Sequence, residues 1–130
     1  MPQKILVVED NPQNMKVVEM TLRPHGYVLL EAIDGEEALK VVDSDRPDLI
    51  IMDIQLPKMD GLEVTRKLRQ VPDFSHIPII AVTAYAMKGD EDKAIEAGCD
   101  AYLPKPVNTR ELPRIVAEML LSRTRDNASR

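Results

Sequence analysis

The chain has 130 residues and a formal net charge of −5, enough for one domain that buries roughly two thirds of its unfolded surface. Lysines and arginines are scattered among acids and the chain has no Trp and a single Phe, so it offers neither a basic stripe for a nucleic-acid backbone nor stacking platforms for bases, and direct DNA binding is excluded. The lone cysteine, Cys99, cannot form an internal bridge, no apolar run approaches about 18 residues and the N-terminus lacks a signal pattern, which predicts a cytoplasmic setting with no membrane attachment.

The first element in chain order is "KILVV", Lys4 to Val8, a β-branched run that reads as a strand and ends in Glu9-Asp10-Asn11-Pro12. Asn11 is a good helix cap, and Pro12 falls where a missing N–H costs nothing, so a helix starts there. Met15, Val18 and Leu22 form its apolar face until Pro24 and Gly26 stop it, and Val28 to Ala32 is a second strand. Asp34-Gly35 makes a turn into a helix striped by Ala38, Leu39 and Val42 and closed by Pro47. Leu49 to Met52 is a third strand, and Val64, Leu68 and Val71 mark a third helix after Gly61.

Pro78 introduces the strand "IIAVT", since proline is acceptable at a strand's first position. The helix from Gly89-Asp90 to Ala97 has few apolar contacts and is predicted to be marginal and movable. Gly98 ends it, Ala101 to Leu103 is a short fifth strand, and Leu112, Ile115, Val116, Met119 and Leu120 give a clear helical stripe. Pro113 conflicts with that stripe, so the helix either begins late or kinks. Alternating strands and helices with spacings too short for hairpins predict a doubly wound α/β domain around a five-stranded parallel sheet. The domain is expected over residues 1–121, with residues 122–130 as a solvated, flexible tail.

In such a sheet, ligands bind beyond the carboxyl ends of the strands. The chain places Glu9 and Asp10, Asp53, Thr83 and Lys105 there. An acid after a strand is by itself often a turn or cap residue, and a lone lysine is usually solvated. Together they mean more, because carboxylates roughly 5 Å apart repel by about 3 kcal/mol at an effective dielectric near 20. Such a cluster implies a cation. Oxygen ligands from few carboxylates suit Mg²⁺, with Mn²⁺ as a substitute, better than Ca²⁺ or Zn²⁺. With Lys105 and Thr83 able to engage phosphoryl oxygens, the arrangement suits phosphoryl transfer to a carboxylate nucleophile, Asp53. His25, His76 and Cys99 read as structural or solvated residues.

The segments "VVEDN" (Val7 to Asn11), "MDIQLPKMDG" (Met52 to Gly61), "VTA" (Val82 to Ala84) and "YLPKP" (Tyr102 to Pro106), in this order and spacing, resemble the CheY-like receiver domains of two-component response regulators. "TAYAMKGDE" and "AGCDAYLPKP" look most like single-domain regulators of the DivK type and the receiver modules of hybrid histidine kinases. The resemblance implies strand order 2-1-3-4-5 and a phosphoryl group accepted on Asp53 from a histidine kinase or histidine phosphotransferase. It further implies a Mg²⁺ site made by Asp10 directly, by Asp53, by Glu9 through water and by the backbone carbonyl of Gln55. Thr83 and Tyr102 would form a switch pair, Lys105 would bridge to the phosphoryl group beside a cis bond to Pro106, and the face of the fourth helix, fifth strand and fifth helix would bind a downstream protein. Gln55 and Tyr85 are placed to tune dephosphorylation. The resemblance is to a signalling domain rather than a turnover enzyme.

Other readings fit less well. A flavodoxin-like electron carrier would need a phosphate-cradling loop where this chain has "EDNPQN", and a dehalogenase-type phosphatase needs a second Asp where Gln55 stands. The remaining alternative is a pseudo-receiver that binds proteins without using phosphate.

Overall fold

The computed structural model describes residues 2–84 and 89–128. In chain order the elements are β1 (Lys4–Val8), α1 (Pro12–Leu22), a 3-10 turn (Arg23–His25), β2 (Val28–Ala32), α2 (Gly35–Asp45), β3 (Leu49–Asp53), α3 (Gly61–Gln70), β4 (Ile79–Thr83), α4 (Asp90–Ala97), β5 (Ala101–Pro104) and α5 (Glu111–Ala128). The strands form one parallel sheet in the order β2-β1-β3-β4-β5. This is the doubly wound arrangement with the reversal of strand order at β1 and β3.

Alternation along each strand divides the core into two layers. Leu6, Val8, Ile50, Met52, Ile79 and Ala81 face α2, α3 and α4, meeting Val42, Val64, Leu68 and Ala94. Their neighbours Ile5, Val7, Leu49, Ile51, Ile80 and Val82 face α1 and α5, meeting Met15, Val18, Leu22, Leu112 and Val116. Strands buried on both faces therefore read as unbroken apolar runs, and burying each such side chain contributes roughly 1.5–3 kcal/mol.

Local chemistry sets the helix ends. Asn11 Oδ1 accepts from the Gln13 and Asn14 N–H groups, and Asp34 and Asp60 cap α2 and α3 in the same way through Glu37 and Glu63. Gly98 ends α4 at φ 116°, a left-handed conformation that favours glycine. Asn108 Oδ1 caps the turn before α5 by accepting from Arg110 and Glu111 N–H groups. The regular helix starts at Glu111, so the N–H that Pro113 lacks would have reached back to Thr109, outside it. The chain needs no kink there.

Several boundaries differ from the sequence reading: Val71 caps α3 from outside it and β5 runs on to Pro104, and two others bear on the site and on the chain's end. β3 includes Asp53, which pairs with Val82, so the carboxylate sits on the last residue of a rigid strand. α5 continues through Ala128, where a solvated tail is expected from Ser122 onward. No proline or glycine interrupts the chain between Leu121 and Ala128, so nothing local stops the helix.

Candidate functional site: a carboxylate cluster at the strand ends

Parallel register brings the strand ends to one edge. Val8 lies beside Met52, Asp53 beside Val82 and Thr83 beside Pro104, so the residues that follow or end these strands share a single crevice. Carboxylate oxygens of Glu9, Asp10 and Asp53 all lie within 4.8 Å of one another. Glu9 and Asp53 are buried, at 4% and 3% exposure, whereas Asp10 opens to solvent.

Lys105 reaches into this cluster from the end of β5. Its Nζ lies 2.7 Å from Glu9 Oε1 and 2.9 Å from Asp53 Oδ2, one ammonium spanning two carboxylates. The other oxygen of each carboxylate takes a backbone donor: Gln55 N–H donates to Asp53 Oδ1 at 3.0 Å, and Asn11 N–H donates to Glu9 Oε2 at 3.1 Å. Burial pushes the Glu9 carboxyl up to about 7, with Lys105 opposing and Asp53 reinforcing the rise. Burial also works to lower the Lys105 ammonium, but its hydrogen bonds to Glu9 and Asp53 outweigh that and hold it above the ordinary range. A net excess of negative charge remains, and an all-oxygen donor set fits a hard divalent cation.

Thr83 is buried at the end of β4, and its backbone carbonyl accepts from Lys105 N–H at 2.7 Å. The Lys105–Pro106 peptide is cis. Tyr102 lies one layer away. Its ring packs against the α2, α3 and α4 side of the core, and its buried hydroxyl has no hydrogen-bond partner among the described residues. Burial, with Asp90 and Glu91 nearby, raises the Tyr102 phenol. The side chain of Gln55 is exposed, and Tyr85 lies outside the described residues.

Gly61, which the sequence marks only as a helix start, shapes the site directly. A Cβ there would collide with the Asp53 carbonyl oxygen and come within 2.9 Å of Ile54 Cα, while the Gly61 N–H donates to Ile54 O at 2.8 Å. Glycine therefore lets α3 begin against the end of β3. The adjacency of Gly61 to "MD" was the signal available in the sequence. His25 stacks on Tyr27 with ring centroids 6.4 Å apart, His76 is exposed in a loop, and Cys99 is buried with Sγ 3.7 Å from Thr65 Oγ1. None joins the cluster.

Residues 5–117 match the response regulator receiver domain family. The polar-differentiation response regulator DivK of Brucella anthropi is 47% identical over 116 residues, 89% of this chain and 92% of that protein. DivK of Brucella ovis is 45% identical over the same shares. Among solved structures, the receiver domain of a sensor histidine kinase from Pseudomonas aeruginosa, with a magnesium ion coordinated in its active site cleft, is 41% identical. It superposes with a TM-score of 0.85 over 92% of this chain and 98% of that one. A CheY-like receiver domain protein from Methanospirillum hungatei gives a TM-score of 0.89 at 29% identity over 97% and 99%. With the family spanning most of the chain, and with the fold and acidic crevice in place, the chain belongs to the response regulator receiver domains.

Proposed function

We propose that this chain accepts a phosphoryl group on Asp53 from a phosphohistidine of a histidine kinase or histidine phosphotransferase, and signals by a conformational change that alters protein binding. The observation that carries the reading is the Lys105 ammonium held between buried Asp53 and Glu9.

Gln55 N–H fixes Asp53 Oδ1, which leaves Oδ2, now facing Lys105, as the attacking oxygen. That oxygen forms the new bond to phosphorus as the phosphorus–nitrogen bond of the donor breaks, and the departing imidazole takes a proton from solvent. Lys105 moves from Oδ2 to a phosphoryl oxygen without leaving the cluster, and the Thr83 hydroxyl donates to another. Asp10 directly, Asp53, Glu9 through water and the Gln55 carbonyl would hold Mg²⁺. When bound, the ion supplies charge neutralisation for the three carboxylates and the incoming phosphoryl oxygens. Support comes from the mutual approach of the acids and from the magnesium found in the Pseudomonas relative.

Thr83 and Tyr102 act as the switch pair, and α4, β5 and α5 form the output face. Gln55, exposed beside Asp53, and Tyr85 tune loss of the phosphoryl group. The domain is assigned to residues 1–121 and the protein to the cytoplasm; among the described residues no helix is long and apolar enough to cross a membrane.

Intact-protein mass spectrometry after incubation with acetyl phosphate, and separately with a phosphorylated histidine kinase, tests the reading. One Mg²⁺-dependent phosphoryl adduct, absent from Asp53→Ala, is expected. No adduct from either donor would instead favour the pseudo-receiver.

A further inference from the structure

α2 meets the loop between β3 and α3 through a residue that has no side chain. Gly35 is the first residue of α2, behind the cap in which Asp34 Oδ1 accepts from Glu37 N–H at 2.8 Å. It is buried, and its φ lies outside the left-handed region, so its backbone conformation does not call for glycine. What calls for glycine is space. A Cβ there would lie 2.8 Å from Val64 Cγ2 on α3 and 3.2 Å from both the Cβ and the carbonyl oxygen of Met59. The valine methyl is a side-chain atom, whereas the Met59 carbonyl is main chain and moves only if the loop moves with it.

That loop is tightly closed. Ile54 O accepts from Leu56 N–H at 3.2 Å and from Gly61 N–H at 2.8 Å, which shuts its base, and Leu56 is buried in the core. On the far limb Met59 N–H donates to Pro57 O at 2.7 Å, a three-residue turn that holds Lys58 at φ 68°. A lysine in the left-handed region is disfavoured on its own and persists where its neighbours fix the chain on both sides. Here the Ile54 closure fixes one side, and Met59, packed on the core layer beneath α2 and α3, fixes the other. Gln55 lies inside the closed loop, its N–H donating to Asp53 Oδ1 at 3.0 Å.

We infer that Gly35 is a positioning residue for the cation site: its missing side chain lets α2 seat the Met59 limb, and the closed loop carries that placement to the Gln55 carbonyl. This role rests on the Mg²⁺ site proposed above, to which Gln55 contributes that carbonyl. Mg²⁺ takes near-octahedral ligands at about 2.0–2.1 Å, so a loop displaced by a few tenths of an ångström spoils one ligand while the fold stays in place.

The test reads Mg²⁺ affinity from the melting temperature of the full chain titrated with MgCl₂. Gly35→Ala should weaken that affinity roughly tenfold, the scale for a residue that orients a metal ligand from behind. Gly26→Ala is the control: at φ 83°, with nothing within 4 Å of the added Cβ, it strains the chain just before β2, at the opposite edge of the sheet. It should lower the melting temperature without Mg²⁺ and change the affinity less than about twofold. Combining Gly35→Ala with Val64→Ala removes the nearest contact and keeps the Met59 one, so that variant folds with less crowding and should still bind about tenfold more weakly than Val64→Ala alone. Equal affinity of Gly35→Ala and wild type, an equal loss in Gly26→Ala, or full recovery in the Val64→Ala background would overturn the positioning role and leave the metal site standing. A wild-type melting temperature that does not rise with Mg²⁺ would overturn the metal site and the positioning role together.

Discussion

Lys105 Nζ lies 2.9 Å from Asp53 Oδ2 while holding Glu9 Oε1 at 2.7 Å, so a single cation bridges two buried carboxylates. Removing it leaves them facing each other in a poorly solvated crevice. Lys105→Ala should lower stability without Mg²⁺ by about 3 kcal/mol, the scale for an uncompensated buried charge. Because a divalent cation can replace the lost charge, added Mg²⁺ should raise the melting temperature of the variant more than that of wild type. Denaturant unfolding with and without Mg²⁺ checks this, and equal Mg²⁺ shifts in the two proteins would count against it.

Tyr102 presents a different imbalance. Its hydroxyl is buried without a partner among the described residues, while its ring packs well against the core. Tyr102→Phe keeps the ring and removes an unsatisfied group, so the variant should be more stable by about 1 kcal/mol. Urea unfolding at neutral pH measures it. A loss of stability would mean that the hydroxyl makes a compensating contact.

These two cases mark where the sequence was legible and where it was not. The apolar runs of β1, β3 and β4 are unambiguous because both faces of a parallel sheet are buried, and caps such as Asn11 and Asp34 act within a few residues of themselves. The gathering of Glu9, Asp10, Asp53 and Lys105 at one edge follows from fold topology once the strands are placed. What a pattern cannot carry is which partner a long side chain chooses across the fold. The Lys105 bridge to Glu9, the Glu19 and Glu31 contact and the close approach of Gly61 to Asp53 all depend on packing between elements far apart in the chain. The end of α5 was missed for a simpler reason: polar residues without proline or glycine read equally as tail or as exposed helix.

Arg69 is another partner choice set by packing. From α3 its Nε donates to Gly98 O at 2.9 Å, its Nη1 to Ser75 O and Ile77 O at 3.0 and 2.8 Å, and its Nη2 to Asp100 Oδ2 at 2.9 Å. Asp100 Oδ2 also accepts from Ile79 N–H, which ties the start of β4 to the same group. Arg69→Ala should therefore cost about 2–4 kcal/mol by stranding several carbonyls, and Arg69→Lys should recover only a small part, since an ammonium cannot span the fork. Thermal and urea unfolding of both variants test this; a full rescue by lysine would show that charge, rather than geometry, holds the three segments.

The Glu19 carboxyl gives a pH dependence with a definite sign. Its ordinary value is 4.5 and the folded chain raises it to about 7, through burial and the facing Glu31, so the folded state holds the proton more tightly than the unfolded state. The stabilisation this provides is complete below 4.5 and is lost as pH climbs through about 7. Glu19→Gln carries no charge at any pH and escapes that loss. The melting temperature of the variant minus that of wild type should therefore grow between pH 4.5 and about 7 and level off above it. Glu9 is raised over a similar range, but it is present in both proteins and cancels in the difference. A difference that stays flat across this window would show that the folded chain does not raise the Glu19 carboxyl.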